Sequence, residues 1–132
     1  MILEDWKIKI SVLWLFWIVV FLAHVIMGLF EPGVIEDINA GEIAGMKMTP
    51  EMMLFVAIII LVPLVMAFLS LTLKDLINRW ANVALGIFYT GLCLFDWIGS
   101  LAQPAHSILM YISEIMASAL IVWYAWKSKK QA

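Results

Sequence analysis

"MMLFVAIIILVPLVMAFLSLTL", residues 52–73, decides the fold. Its twenty-two residues carry no ionisable side chain, and an α-helix needs about 20 such residues to cross the hydrocarbon core of a bilayer. A spanning β-strand would be shorter and would alternate apolar with polar residues, and no such alternation appears here. Three further blocks share this character: Ile10–Phe30, Trp80–Ala102 and Ser107–Trp126. Across 132 residues, 65% are hydrophobic and 14% charged, against about 45–50% and about 25% in soluble domains. The reading is an all-α polytopic membrane protein: one domain over residues 1–132, folded as an up-down bundle of four transmembrane helices. The bilayer is its first partner, and no nucleic-acid partner is expected.

Working outward, the first block has Lys7 and Lys9 ahead of it, as a secretory signal would. Its apolar core is nevertheless too long for a signal peptide, and no small-residue cleavage site follows, so it is read as a retained helix. The single cysteine, Cys93, excludes an internal disulfide and a C-x-x-C redox pair. Of eight Lys and Arg residues, Lys7, Lys9, Lys74, Arg79, Lys127, Lys129 and Lys130 fall on one side of the four-span topology and only Lys47 on the other. Positive charge in short loops marks the cytoplasmic side. Both termini are therefore expected in the cytoplasm and the protein in the cell membrane.

The long connection between the first two spans carries Glu31, Glu36, Asp37, Glu42 and Glu51. "VIEDI" sets Val34, Ile35 and Ile38 on one helical face, which predicts a short amphipathic helix lying at the interface. Gly41 and Gly45 would end it. Thr49-Pro50-Glu51 reads as a helix start, with Thr as N-cap and Pro in the first turn. The acids lack the order of a calcium loop, so a solvated acidic loop is the plainer reading. The other two connections are short, which favours antiparallel neighbours.

Inside the spans three ionisable groups remain: His24, Asp96 and Glu114. An intramembrane acid costs about 2.5–3.5 kcal/mol on insertion scales, so such groups face the bundle interior and find partners. At 1.5 Å rise per residue, all three fall in the outer half of the bilayer at overlapping depths. Their helical faces agree as well. Asn82, Gly86, Tyr89, Cys93, Asp96 and Ser100 share one sector of the third span, and Ser107, Tyr111, Glu114 and Ser118 one stripe of the fourth. The His24 stripe takes in Trp17, Gly28 and Glu31. In the second span Pro63 removes an amide donor and displaces the carbonyl of Ile59, which then needs a donor from elsewhere. Together these predict an outward-open polar vein walled by Trp17, Tyr89 and Tyr111, with His106 at its mouth. If the groups served only to join helices, a His24–Asp96 hydrogen bond beside a neutral Glu114 would be expected. Interhelical bonds of that kind contribute only about 0.6 kcal/mol on average, weak grounds for keeping three ionisable groups.

"SVLWLFWIVVFLAHVIMGLFEPG" and "LSLTLKDLINRWANVALGIFY" resemble a bacterial and archaeal family of uncharacterised small four-helix membrane proteins. The most specific part is Asn78-Arg79-Trp80-x-Asn82 at the start of the third span. The resemblance implies the fold and transfers no catalytic or binding role. From the residues themselves, Arg79 and Trp80 are interfacial anchors, while Asn78 and Asn82 either cap the third span or bond across to the second.

Four functions are compatible with this pattern. The first is binding of a small molecule or lipid in the outer pocket, using His24, Asp96, Glu114, Tyr89, Tyr111 and Trp17. The second is a proton- or ion-coupled small transporter. Such exporters are dual-oriented and carry their acid in the first span, unlike this chain, and four helices would have to work as a homo-oligomer. The third is an enzyme, with His24, Asp96 and Glu114 as acid, base or weak metal-ligand candidates, although no H-E-x-x-H spacing is present. The fourth is a structural subunit. The sequence favours the first, leans away from an enzyme, and calls for no cofactor. Elemental analysis of the purified protein is expected to find no stoichiometric zinc; a one-to-one content would restore the metal-enzyme reading.

Overall fold

Each apolar block becomes one long helix in the computed structural model, which describes residues 4–43, 45–99 and 103–128. In chain order the elements are α1 (Asp5–Gly28), α2 (Val34–Asn39), β1 (Glu42–Ile43), β2 (Met46–Lys47), α3 (Pro50–Thr72), α4 (Asp75–Ile98) and α5 (Ala105–Lys127). Four of these helices are long and apolar enough to cross a membrane, the architecture of a multi-pass membrane protein.

The helices α1 and α4 begin earlier than the apolar blocks, at Asp5 and Asp75 rather than Ile10 and Trp80. The reason is that an apolar run measures the hydrocarbon span, whereas backbone hydrogen bonding continues through the polar turn beside it. Residues 100–102, assigned to the third span from sequence, lie outside the described residues. In the long connection α2 forms where "VIEDI" placed it. Gly41 and Gly45 follow with φ of 80° and 78°, a left-handed conformation that glycine adopts without steric cost. Gly41 leads into a two-stranded hairpin that periodicity did not foresee, with Gly45 between its strands, pairing Glu42 with Lys47 and Ile43 with Met46. The Thr49 hydroxyl accepts the amide of Met52 at 3.2 Å, capping α3 with Pro50 in its first turn.

Cross-helix contacts fix the up-down order. Near the chain termini, Ser11 on α1 donates to the carbonyl of Ala67 near the end of α3 at 2.6 Å, and Lys7 pairs with Asp75 at the start of α4 at 2.7 Å. At the same end Lys9 lies over Tyr124, late in α5. The helix α1 packs against both α3 and α5, and α5 packs against α4, while α3 and α4 have little backbone contact. At Gly86 the helices α4 and α5 close tightly: a Cβ there would sit 2.5 Å from Val122 Cγ2 and 3.2 Å from the Ser118 carbonyl.

Side-chain hydrogen bonds tie α3 to the rest. Ser70, Asn78 and Asn82 are fully buried. The Asn82 Oδ1 accepts from Trp14 Nε1 at 2.7 Å and from Ser70 Oγ at 3.2 Å, and its amide donates to Asn78 Oδ1 and the Asn78 carbonyl. Asn78 donates in turn to the Ser70 carbonyl at 2.7 Å. Of the two roles anticipated for these asparagines, bonding across to the preceding span is the one adopted; the N-cap position of α4 falls on Lys74. Higher in the bundle, the Tyr89 hydroxyl donates to the Ile59 carbonyl at 2.8 Å. That is the carbonyl which Pro63 strips of its helical donor.

This last bond is testable by a double-mutant cycle. Tyr89→Phe leaves the Ile59 carbonyl buried without a donor, at a cost of about 1–3 kcal/mol. In a Pro63→Ala background the residue-63 amide supplies that donor, and the cost of Tyr89→Phe is expected to fall to near zero. Equal losses in both backgrounds, read from unfolding in mixed micelles, would exclude the coupling.

Candidate functional site

The polar stripes read from sequence converge at the end of the bundle away from the termini. On α5, Ser107, Tyr111, Glu114 and Ser118 are all buried, because residues at this spacing stand above one another on the face turned to α1 and α4. On α4, Asn82, Gly86, Tyr89 and Cys93 are buried on the matching face, while Asp96, one turn further out, is exposed to a cavity.

That cavity has a volume of about 400 Å3. The C-terminal half of α1 contributes Phe21, His24 and Val25, α4 contributes Asp96, and α5 contributes Ser107 and Tyr111. The roof comes from the long connection, including Glu31, Val34, Asp37, Ile38 and Glu42. Most of its lining surface is apolar, with His24, Ser107, Tyr111 and four carboxylates interspersed.

Two bonded pairs organise its floor. His24 Nδ1 lies 3.3 Å from Glu114 Oε1, and the Tyr111 hydroxyl donates to Asp96 Oδ2 at 2.6 Å. The Tyr111 ring also meets the His24 imidazole edge-on, centroids 4.6 Å apart, and stacks parallel to Trp97 at 6.0 Å. The His24–Asp96 hydrogen bond that a purely helix-joining role would give is therefore not formed. Tyr111, one turn outward of Glu114 on α5, touches both residues and takes Asp96 for itself, which leaves His24 to the deeper carboxylate. Glu114 is 1% exposed and does not itself line the cavity; it is reached through His24.

The remaining candidates separate. Trp17 and Tyr89 are 1% exposed and pack in the core rather than on the cavity wall, their rings edge-to-face at 4.8 Å. Cys93 is a buried packing residue. His106 Nε2 lies 3.3 Å from Glu31 Oε1, and His106 is not itself among the residues lining the cavity. Pro63, Asn78 and Asn82 belong to the bonds that hold α3, and Ser100 lies outside the described residues. Among the described residues no group of three His, Cys, Asp or Glu side chains is placed to hold a metal ion, so His24, Asp96 and Glu114 do not form a ligand set. The sequence reading set Glu31 on the His24 stripe without naming it a binding candidate, and it missed the loop acids Asp37 and Glu42 as cavity residues. One signal was present: Glu31 lies seven residues, two helical turns, beyond His24.

With the geometry in place, comparison with known proteins gives one result. The chain belongs to a family of unknown function, DUF6326, whose model matches residues 2–132. No curated protein and no solved structure matches it. The family brings no activity, so the functional reading rests on the cavity and its chemistry.

The buried pair makes a prediction of its own. His24→Ala removes the one side-chain partner that a buried carboxylate has among the described residues, and Glu114→Gln in the same chain replaces that carboxylate with a neutral amide. The double variant is expected to be more stable than His24→Ala alone, with a coupling of about 1–3 kcal/mol. Thermal unfolding of the four proteins of the cycle measures it, and strict additivity would show that the pair is not coupled.

Proposed function

We propose that this is a cell-membrane protein, termini in the cytoplasm, that binds a small amphipathic molecule or lipid in its outward-facing cavity. The observation that carries the reading is the cavity lining: apolar walls from Phe21, Val25 and Ile38 around His24, Asp96 and Tyr111. A ligand with an apolar body and one polar head matches that division.

The sign of the head group follows from the charges. Glu31, Asp37, Glu42 and Asp96 line the cavity, and among the described residues no Lys or Arg does. An anionic head would meet carboxylates on several sides, whereas an ammonium head finds acceptors. Binding is favoured over passage by the packed aromatic layer below, where Tyr89 meets both Trp14 at 5.6 Å and Trp17 at 4.8 Å edge-to-face. These rings stand between the cavity and the terminal end of the bundle. The seven-to-one bias of Lys and Arg to that end supports the orientation.

Three probes of equal chain length test this reading: decylamine, decanol and decyl sulfate, added to purified protein and read by thermal unfolding. Decylamine is expected to stabilise most, decanol less, and decyl sulfate not at all. Asp96→Asn is expected to weaken decylamine by about two- to five-fold, the size of one partly exposed charge interaction, while leaving decanol unchanged. If none of the three probes stabilises the wild type, the binding reading is wrong.

A further inference from the structure

At the opposite end of the bundle from the cavity, Arg79 is 9% exposed and has no counter-ion among the described residues. The salt bridges there bypass it: the nearby acid Asp75 is taken by Lys7 at 2.7 Å. Of the guanidinium nitrogens, Nε is sealed from solvent and has no hydrogen-bond partner among the described residues. A cation this buried is costly unless it is paired.

Two tryptophans hold it in place. The guanidinium carbon lies 4.5 Å from the Trp80 ring centroid and 5.2 Å from that of Trp126. The rings themselves stand edge-to-face, centroids 6.0 Å apart. Such contacts offset part of the desolvation cost and fix the plane of the group, but they bring no negative charge. The rings are 46% and 57% exposed, so the clamp opens on the outer surface of the bundle rather than on its core. Tryptophans so placed sit at the level of the lipid head groups, and Lys127 follows Trp126 directly.

We infer that Arg79, framed by Trp80 and Trp126, is a binding site for the phosphate of an anionic membrane lipid. A planar guanidinium presents two parallel N–H donors that match a phosphate, and a lipid phosphodiester supplies the missing charge at the depth where the tryptophans lie. A snorkelling arginine would keep its head group in water; Arg79 instead has its Nε closed off and its plane held by two rings.

The test uses full-length protein in neutral detergent, with phosphatidylglycerol, phosphatidylcholine or inorganic phosphate added. Native mass spectrometry reads retained lipid and thermal unfolding reads stabilisation. Phosphatidylglycerol is expected to be retained about ten-fold better than phosphatidylcholine by the wild type and to raise its unfolding temperature. Arg79→Gln loses the preference, and Arg79→Lys, which keeps the charge without the fork, retains only part of it. Stabilisation by inorganic phosphate as strong as by lipid, and lost in Arg79→Gln, overturns the lipid assignment and makes the site one for soluble phosphate. Should Arg79→Gln not fold, the wild-type comparison decides alone: equal retention of the two lipids overturns the site. Retained preference in Arg79→Gln overturns it as well.

Discussion

A polar group inside hydrocarbon has no water to fall back on, and this bundle is arranged around that constraint. The clearest instance is Pro63, which leaves the Ile59 carbonyl without its helical donor; the Tyr89 hydroxyl crosses from α4 to supply one. The same necessity binds Ser70, Asn78 and Asn82, where Asn82 alone engages α1 through Trp14, α3 through Ser70 and its own helix through Asn78. Apolar side chains cannot choose between neighbouring helices and lipid tails, which are equally apolar. Directional bonds can, so the register of α3 against α1 and α4 is set by a handful of polar contacts.

Those contacts divide the bundle into two polar levels separated by rings. The asparagine network lies toward the termini, the His24–Glu114 and Tyr111–Asp96 pairs lie toward the outer end, and Trp14, Trp17 and Tyr89 fill the layer between. The two levels differ in kind. In the inner one, each asparagine amide and carbonyl has a partner within the bundle. In the outer one, Asp96 opens on a cavity and the roof is a loop rather than a helix. Side-chain bonding is concentrated where helices must be held, and open space at the cavity.

How much of this was legible follows from the physics of each signal. Apolar length is a property of consecutive residues, so the four spans could be read directly, and helical spacing placed Ser107, Tyr111 and Glu114 on one stripe. The need of the Ile59 carbonyl for a foreign donor was equally local, since it depends only on Pro63 four residues on. Partner choice was not local. Depth alone made His24 and Asp96 look like a pair, because the rise per residue says nothing about which helices are neighbours. The side chain between them, Tyr111, belongs to a different span. The loop acids Asp37 and Glu42 failed for a related reason: no periodicity ties them to the spans, and only the fold-back of α2 and the β1–β2 hairpin carries them over the cavity, whereas Glu31 continues the His24 stripe.

The sparse contact between α3 and α4 completes the picture. Helix α3 is the most apolar of the four, yet it is anchored chiefly by α1 and by side-chain bonds reaching across from α4. Between α3 and α4 an apolar groove lined by Ile58, Leu61, Val62, Val65, Met66 and Leu85 is left open. In a soluble protein such a groove would be a liability. In a bilayer its apolar walls cost nothing, because acyl chains solvate them as well as another helix would. The chain therefore has no need of tight α3–α4 packing. It keeps its close approach for α4 and α5, where Gly86 lets the backbones meet and brings Thr90 within 2.7 Å of Ser118. That contact lies one turn below Glu114 on α5, so the tightest seam of the bundle directly supports the helix face that carries Glu114 and Tyr111.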